Sequence, residues 1–476
     1  MVNQSIPGEC GGATSVERLQ GNLYWYRAHQ LPAGAVFWAP TVFLYLVAEF
    51  GLRAALVLQS VYYVTVVVLE VPSGWLSDRV SRTLTLRLVA VAWIGAHSMF
   101  WLGSGEIAVV CAQVLLAVGY AFLSGTDVTL HFDTLEALGR SDEFTAREST
   151  SRQHLLFVTA VSAMAGGGLA MIDLRLPFAA ALAAAVLQLA VAWRLSEPPR
   201  EDADGHFASD LAVTVRHLRQ PLLGWLALYV VSQIVVVHLA GELVAPYLTE
   251  VFSTPPDDPG LSALMTGLIA AVVATVAALV LRFLEPLNRR LGLASLFLML
   301  ALVPVVIVGV MALTTTLWVL PLLSFRRVQG AASSVIVPGI VGSRVDRHHR
   351  ATFLSLTSLL GRLTYAGALL MLAAGGGGNI ADSLGLAAVV AIGLWVFVAG
   401  AQRWIPNFPD SVEHNHEHEH EHEHHDHLHV HDDGHHDHDH DYEVTGAHSH
   451  PHDHAPVRHS HPHTQDRHHD HDHDSL

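Results

Sequence analysis

Residues 70–82 read EVPSGWLSDRVSR and separate two long apolar runs, VLQSVYYVTVVVL before them and LTLRLVAVAWIGAHSMFW after them. A short polar turn between two runs of membrane-spanning length predicts two helices that meet at one face of a bilayer. Gly74 permits a close approach of helices because it has no side chain. Asp78 can cap a helix or pair with a cation at the cytoplasmic face, where Arg79 and Arg82 anchor the turn.

Apolar runs of similar length recur along most of the chain. Hydrophobic residues make up 51% of its 476 residues, which excludes an ordinary soluble domain. A bilayer core of ~30 Å needs about 20 apolar residues per helix. Runs of that kind lie at 31–49, 53–73, 84–103, 106–127, 153–172, 176–194, 222–248, 262–284, 291–312, 315–341, 351–374 and 384–402. We therefore expect an all-α integral membrane protein with twelve transmembrane helices.

The distribution of arginine predicts the orientation of these helices. If the N-terminus is cytoplasmic, every cytoplasmic loop carries two or more arginines, whereas the outer loops carry only Arg53 and Arg175. This bias predicts a multi-pass membrane protein with both termini in the cytoplasm. Arginine-rich loops follow the second and the fourth helix of each half, which indicates an internal duplication.

A polar interruption divides the chain into two equal sets of runs. Pro198 and Pro199 end the sixth run, and an acidic stretch follows them. The predicted organisation is therefore two pseudo-symmetric six-helix bundles with a linker and a tail. These units are an N-terminal bundle at 1–195, a cytoplasmic linker at 196–220, a C-terminal bundle at 221–403 and a disordered tail rich in His, Asp and Glu at 404–476.

The stretch at 70–82 resembles the signature G-x-L-x-D-R-x-x-R of the major facilitator superfamily. Gly74, Asp78, Arg79 and Arg82 occupy its fixed positions, and Ser81 stands where that pattern usually has glycine. The resemblance implies two bundles that rock about a central site, with these four residues forming a gate at the cytoplasmic face. It also implies a transporter and not an enzyme. No G-K-S or G-K-T phosphate loop is present, so an ATP-driven mechanism and a covalent cofactor are not expected.

Ionisable residues inside the predicted spans are the candidates for transport and proton coupling, because charge in a bilayer is costly. Asp127 and His131 are four residues apart and share a helix face. They could ligate one cation, or they could cap and pair at the cytoplasmic end of their helix. His238 and Glu242 show the same spacing nearer mid-helix, where they could act as a proton site, as metal ligands or as a structural pair.

Two adjacent arginines in the tenth run are less expected for a carrier of cations. Arg326 and Arg327 would repel a divalent ion unless each were paired with a carboxylate. We expect an ion pair with Glu242 or Asp127 that a proton or the substrate can displace.

The C-terminal tail is a candidate metal-binding segment. Residues 413–476 hold 25 of the 34 histidines, together with 17 acidic residues and two arginines. Neutral imidazole is a common ligand for nickel, cobalt and zinc, and alternate residues of an extended chain can converge on one ion. The candidate ligands are His414, His416, His418, His420, His422, His424, His425, His427, His429, His431, His435, His436, His438 and His440.

A His-rich cytoplasmic C-terminus on such a body is similar in architecture to the bacterial nickel- and cobalt-resistance exporters of the superfamily. The resemblance implies a monomeric, proton-coupled antiporter that exports divalent transition metal ions, nickel or cobalt first and zinc or iron next. The resemblance also implies a location in the bacterial inner membrane. The partners would be the lipid bilayer, protons and a small inorganic cation. Two alternatives remain open: an efflux carrier for a drug, sugar or other organic solute, and a membrane metal sensor that transports nothing. No basic face exists to bind nucleic acid.

Overall fold

The computed structural model describes residues 9–199, 213–255, 260–345 and 347–405, together with four short strands between 414 and 463. Three single-turn helices, at Ser141–Glu143, Leu281–Phe283 and Leu317–Val319, join longer elements. The α-helices are α1 Glu9–Gly34, α2 Val42–Arg79, α3 Arg82–Leu102, α4 Gly105–Leu123, α5 Thr126–Ala137, α6 Phe144–Ile172, α7 Leu176–Ala192, α8 Pro221–Glu242, α9 Val244–Phe252, α10 Gly260–Val280, α11 Leu284–Leu291, α12 Leu293–Leu313, α13 Leu320–Leu323, α14 Val328–Arg344, α15 Arg347–Gly375 and α16 Ile380–Gln402.

The chain is a multi-pass, helical membrane protein. Within the described ranges, nine helical stretches are long and apolar enough to cross a membrane, and α7 is a shorter apolar helix. The predicted count of twelve is therefore not confirmed. The predicted span at 31–49 falls across the break between α1 and α2. The predicted span at 315–341 is divided among Leu317–Val319, α13 and α14.

The turns between helices gather at two ends of the molecule. Helix α2 is interrupted at Gly51, which has φ +78°, a value that glycine adopts without strain. Arg175, which precedes α7, donates to the carboxylate of Glu49 at 3.0 Å and to the carbonyl of Gly103 at 3.4 Å. The turns near 51, 103 and 175 therefore share one end. We call it the outer end, following the arginine distribution, and the opposite one the inner end.

Four of the predicted spans are interrupted helices. They are the first and the fourth of each predicted half, and their interruptions lie between α1 and α2, α4 and α5, α8 and α9, and α13 and α14. The same positions recur in both halves, as an internal duplication would produce. The division into the predicted domains stays a prediction.

The two halves touch near the outer end. A Cβ atom on Gly167 of α6 would lie 3.0 Å from Cα of Gly267 on α10, so these two backbones are in direct contact and leave no room for side chains. Small residues allow such a close approach between membrane helices. On the other side, the hydroxyl of Ser60 on α2 donates to the carbonyl of Ala366 on α15 at 3.2 Å. A hydrophobic cluster that includes Leu56 and Leu369 also spans both halves.

The tail contains two antiparallel strand pairs. Strand β1, His414–His420, pairs with β4, Val457–His463, and strand β2, Glu423–His429, pairs with β3, His448–His454. The prediction of a disordered tail is therefore not confirmed for these four segments. Alternation of His with Asp or Glu leaves no apolar face, but it has the two-residue period of a strand.

Candidate functional site

The interruption between α8 and α9 places Glu242 at the end of a helix inside the structure. Glu242 is the last residue of α8, and α9 resumes at Val244. Pro246 accounts for the interruption because it lacks the N–H that would donate to the carbonyl of Glu242 in a continuous helix. In secondary transporters, discontinuous helices of this kind present their ends and side chains to the substrate.

Glu242 is hydrogen-bonded across the boundary between the two halves. Nε2 of Gln59 on α2 donates to Oε1 of Glu242 at 2.8 Å. Nε2 of Gln113 on α4 in turn donates to Oε1 of Gln59 at 3.3 Å, and both glutamines are buried. A carboxylate inside the span is thus part of a contact that has to change if the halves move apart.

His238 lies one helical turn before Glu242 and faces the same neighbouring helix. Its Nδ1 is 2.7 Å from the carbonyl oxygen of Ile234, so Nδ1 carries the proton and donates, which leaves Nε2 as the free acceptor. The ring lies edge-on to Tyr63 of α2 with 6.0 Å between centroids, and 5.2 Å from the ring of Tyr365 on α15. The prediction that His238 and Glu242 share a helix face is confirmed.

Arg326 and Arg327 lie in the interruption between α13 and α14. A Cβ atom on Gly241 would lie 2.9 Å from Nη1 of Arg326, so the guanidinium packs against the end of α8. The predicted ion pair with Glu242 or Asp127 is wrong: across residues 9–199, 213–255, 260–345 and 347–405, neither arginine has a carboxylate oxygen within 4 Å. Other elements supply the hydrogen-bond partners of both acids.

Asp127 and His131 are buried at the start and middle of α5. Oδ2 of Asp127 accepts a hydrogen bond from Nε2 of Gln30 on α1 at 2.8 Å. Nδ1 of His131 is 2.9 Å from Oε2 of Glu148 on α6. The exposed fractions of Asp127 and His131 are 6% and 4%, so His131 does not lie at a water interface.

Glu148 completes this second cluster and was not predicted from the sequence. The hydroxyl of Tyr26 donates to Oε2 of Glu148 at 2.8 Å, and Nε of Arg152 donates to its Oε1 at 3.1 Å. The ring of Tyr26 stacks on His131 with 4.1 Å between centroids. Glu148 lies in an arginine-rich stretch that reads as a loop, and only the fold reveals that it faces α1 and α5.

The two clusters are separate. Glu242 and His238 contact α2, whereas Asp127 and His131 contact α1 and α6, and in the described part of the chain no hydrogen bond or ion pair joins one cluster to the other. No group of three or more His, Cys, Asp or Glu residues in that part is arranged to hold a metal ion.

The predicted gating residues have different surroundings. Arg82 forms an ion pair with Asp133 of α5. Arg79 is exposed, and the side chain of Asp78 lies outside the described residues. The prediction that Gly74 permits close helix approach is wrong, because a Cβ atom there would meet nothing within 4 Å.

Ser81 and Glu197 together cap the start of α3. The Ser81 hydroxyl accepts from the backbone N–H of Leu84 at 3.1 Å. Oε2 of Glu197 accepts from the hydroxyl of Ser81 at 2.7 Å and from the N–H of Thr83 at 2.9 Å, while Oε1 accepts from the N–H of Arg82 at 2.9 Å. Burial opposes ionisation of Glu197, but these hydrogen bonds outweigh it and hold its pKa below the usual value. Ser81, which stands where the signature usually has glycine, therefore stabilises the start of α3.

The predicted metal ligands of the tail fall into two groups. Eight lie in β1 and β2, namely His414, His416, His418, His420, His424, His425, His427 and His429. The other six lie outside the described residues, namely His422, His431, His435, His436, His438 and His440. The backbone register of β1 and β4 sets His416 opposite His461 and His418 opposite His459, and the register of β2 and β3 sets His427 opposite His450.

Comparison with known proteins identifies the fold. No protein-family model matches the chain, and no curated protein matches it. The nucleoside transporter NupG, solved as a mutant, is similar over 81% of this chain and 99% of its own, with a TM-score of 0.66 and 13% sequence identity. The chain has the fold of transporters of the major facilitator type.

Other transporters of this type show the same similarity. A D-xylose–proton symporter is 17% identical, with a TM-score of 0.55 over 82% of this chain and 97% of its own. A bacterial homologue of the iron transporter ferroportin, in an inward-facing state, is 17% identical, with a TM-score of 0.55 over 80% of this chain and 98% of its own. At these identities the similarity concerns the fold.

Proposed function

We propose that this protein is a proton-coupled secondary exporter of divalent transition metal ions, nickel or cobalt first and zinc or iron next. The fold supports alternating access by rocking of the two halves about a central site. The His-rich tail supports the choice of metal, because imidazole binds all four ions. In this proposal the tail collects the ion at the inner side and the body moves it.

One observation carries the coupling part of the proposal, which is the hydrogen bond between Gln59 and Glu242. It joins the two halves where they meet, and its acceptor is a titratable group inside the span. Protonation of Glu242 removes its negative charge and weakens its hydrogen bond with Gln59, because a charged acceptor binds an N–H more strongly than a neutral one. Proton binding would thereby loosen the contact between the halves, as a proton-driven cycle requires.

His238 can assist this step. Its Nε2 is available as a proton acceptor while Nδ1 is held by Ile234. The rings of Tyr63 and Tyr365 lie next to His238. These polarisable rings separate a proton or ion at His238 from the apolar residues beyond them.

Metal accumulation in cells tests the proposal. Cells that make the wild-type chain should accumulate less Ni²⁺ or Co²⁺ than cells without it, and Glu242→Gln should abolish this difference. Glu250→Gln is a matched control, since Glu250 is an exposed residue of α9. Equal accumulation with and without the wild-type chain, for all four ions, would refute a metal exporter.

A further inference from the structure

The arginine pair at residues 326 and 327 lies beside the central site, with Arg326 partly buried and Arg327 exposed. Nη1 of Arg326 packs against Gly241, so its guanidinium lies level with the end of α8 and next to Glu242. The charges of Arg326 and Glu242 attract each other, but no oxygen of Glu242 is within 4 Å. Instead Gln59 binds that carboxylate. The positive charge of Arg326 is therefore only partly compensated by Glu242.

Two other partly buried arginines have carboxylate partners. Arg362 donates to Glu70 at 2.6 Å, and Arg82 pairs with Asp133. By contrast, neither Arg326 nor Arg327 has a carboxylate partner in the described ranges, and Nε of Arg326 is buried without a hydrogen-bond partner there. An arginine inside a bilayer is costly, so a chain retains such a pair where its charge is used.

The chemistry of Arg326 and Arg327 indicates which class of ligand they would bind. Guanidinium presents planar N–H groups that match a carboxylate in a bidentate manner. Helix α14 begins directly after Arg327, and the amides of its first turn add partial positive charge at the same place. Such a site attracts an anionic group and repels a bare divalent cation.

We propose that Arg326 and Arg327 bind a carboxylate group of the cargo. This inference rests on the proposed function for the metal: the ion would cross as a complex with a small carboxylic acid. The same chemistry would also bind the free acid alone. Arg326 would then exchange its attraction to Glu242 for the carboxylate of the cargo.

Transport by the purified full-length chain in proteoliposomes with an acidic lumen separates the possibilities. The three cargoes are Ni²⁺ alone, citrate alone and a 1:1 complex of Ni²⁺ and citrate, with both the metal and the acid labelled. We expect uptake of the complex to exceed that of Ni²⁺ alone at least tenfold. If only citrate is taken up, the result supports the carboxylate site and refutes metal export. If Ni²⁺ alone is taken up at the same rate as the complex, the result supports metal export and overturns the carboxylate site. Uptake of none of the three would overturn both.

Variants tie the effect to the arginines. Arg326→Gln and Arg327→Gln should each weaken citrate binding by ~10-fold or more, since a hydrogen bond to a charged group contributes at least that much. Arg326→Lys should weaken it less, because it keeps the charge. Arg282→Gln, at an exposed position, is the control and should bind as wild type does. Citrate-dependent thermal stabilisation of each variant in detergent reports binding even if transport is lost, and equal stabilisation of Arg326→Gln and wild type would overturn the site.

Discussion

Glu70 on α2 and Arg362 on α15 form an ion pair of 2.6 Å that joins the two halves of the chain. Their side chains are 14% and 18% exposed, so the pair is largely shielded from water. The guanidinium of Arg362 also lies 5.6 Å from the ring centroid of Tyr120. The pair lies nearer the inner end of α2 than the contact between Ser60 and Ala366, and both join the two halves.

Loss of this pair should loosen the contact between the two halves. Glu70→Gln leaves a charge without its partner, which costs ~3–5 kcal/mol in a fully buried pair and less in this partly exposed one. Ala366, 1% exposed, is the reporter. In a cysteine-free background carrying Ala366→Cys, we expect Glu70→Gln to raise the labelling of the purified protein by a water-soluble maleimide several-fold.

A matched control and a rescue accompany that measurement. Glu285→Gln breaks an exposed pair with Arg289 on α11, worth less than ~1 kcal/mol, and should leave labelling unchanged. The exchange Glu70→Arg with Arg362→Glu should restore low labelling. If the exchanged variant labels as fast as Glu70→Gln alone, the ion pair does not hold the halves together.

The cap of α3 by Glu197 should make stability depend on pH. The pKa of Glu197 is lowered in the folded chain, so its contribution is present above the unfolded value of about 4.3 and is lost as pH falls through the lower folded value. Glu197→Ala should lower the melting temperature at pH 7 by removing a helix cap worth ~1 kcal/mol. The difference from wild type should shrink towards pH 3. A constant difference between pH 7 and pH 3 would show that the charge of Glu197 does not matter.

Most of the long helices could be predicted from the sequence, because the length of an apolar run and the arginines next to it are local features of the chain. The four helix interruptions could not. The run at 222–248 reads as one span although Pro246 stops α8 at Glu242, and Ser324–Arg327 contains neither proline nor glycine. Side-chain partners were hardest to predict, because they come from distant elements. Glu148 binds His131, and Glu197 caps α3. In both cases the partners are far apart in sequence, so no local sequence pattern predicts the contact.

Truncation after Asp410 should leave the helical body folded. The strands of the tail pair with one another, β1 with β4 and β2 with β3, and offer no apolar face to the body. We expect the truncated chain to reach the membrane with an unchanged melting temperature, and to confer reduced but measurable metal resistance. Failure of the truncated chain to insert would show that the tail has a structural role.

Metal binding by the tail should weaken at low pH. Imidazole must be neutral to bind a metal ion, and an ordinary histidine gains its proton below about pH 6.5. Titration calorimetry of the full-length and truncated chains should show several Ni²⁺ or Zn²⁺ ions bound only by the full-length chain at pH 7.5, with affinity falling steeply below about pH 6. Equal metal binding by both chains would show that the body, and not the tail, binds the metal.

The central claim is that Glu242 couples proton movement to cargo movement. Its test is cargo efflux, driven by an imposed pH gradient, from vesicles that contain wild type, Glu242→Gln, His238→Ala or the control Glu250→Gln. We predict that Glu242→Gln and His238→Ala abolish the driven efflux while the protein is still made and inserted, and that Glu250→Gln behaves as wild type. Unchanged efflux by Glu242→Gln would contradict the account, and the coupling site would then have to be sought at Asp127, His131 and Glu148.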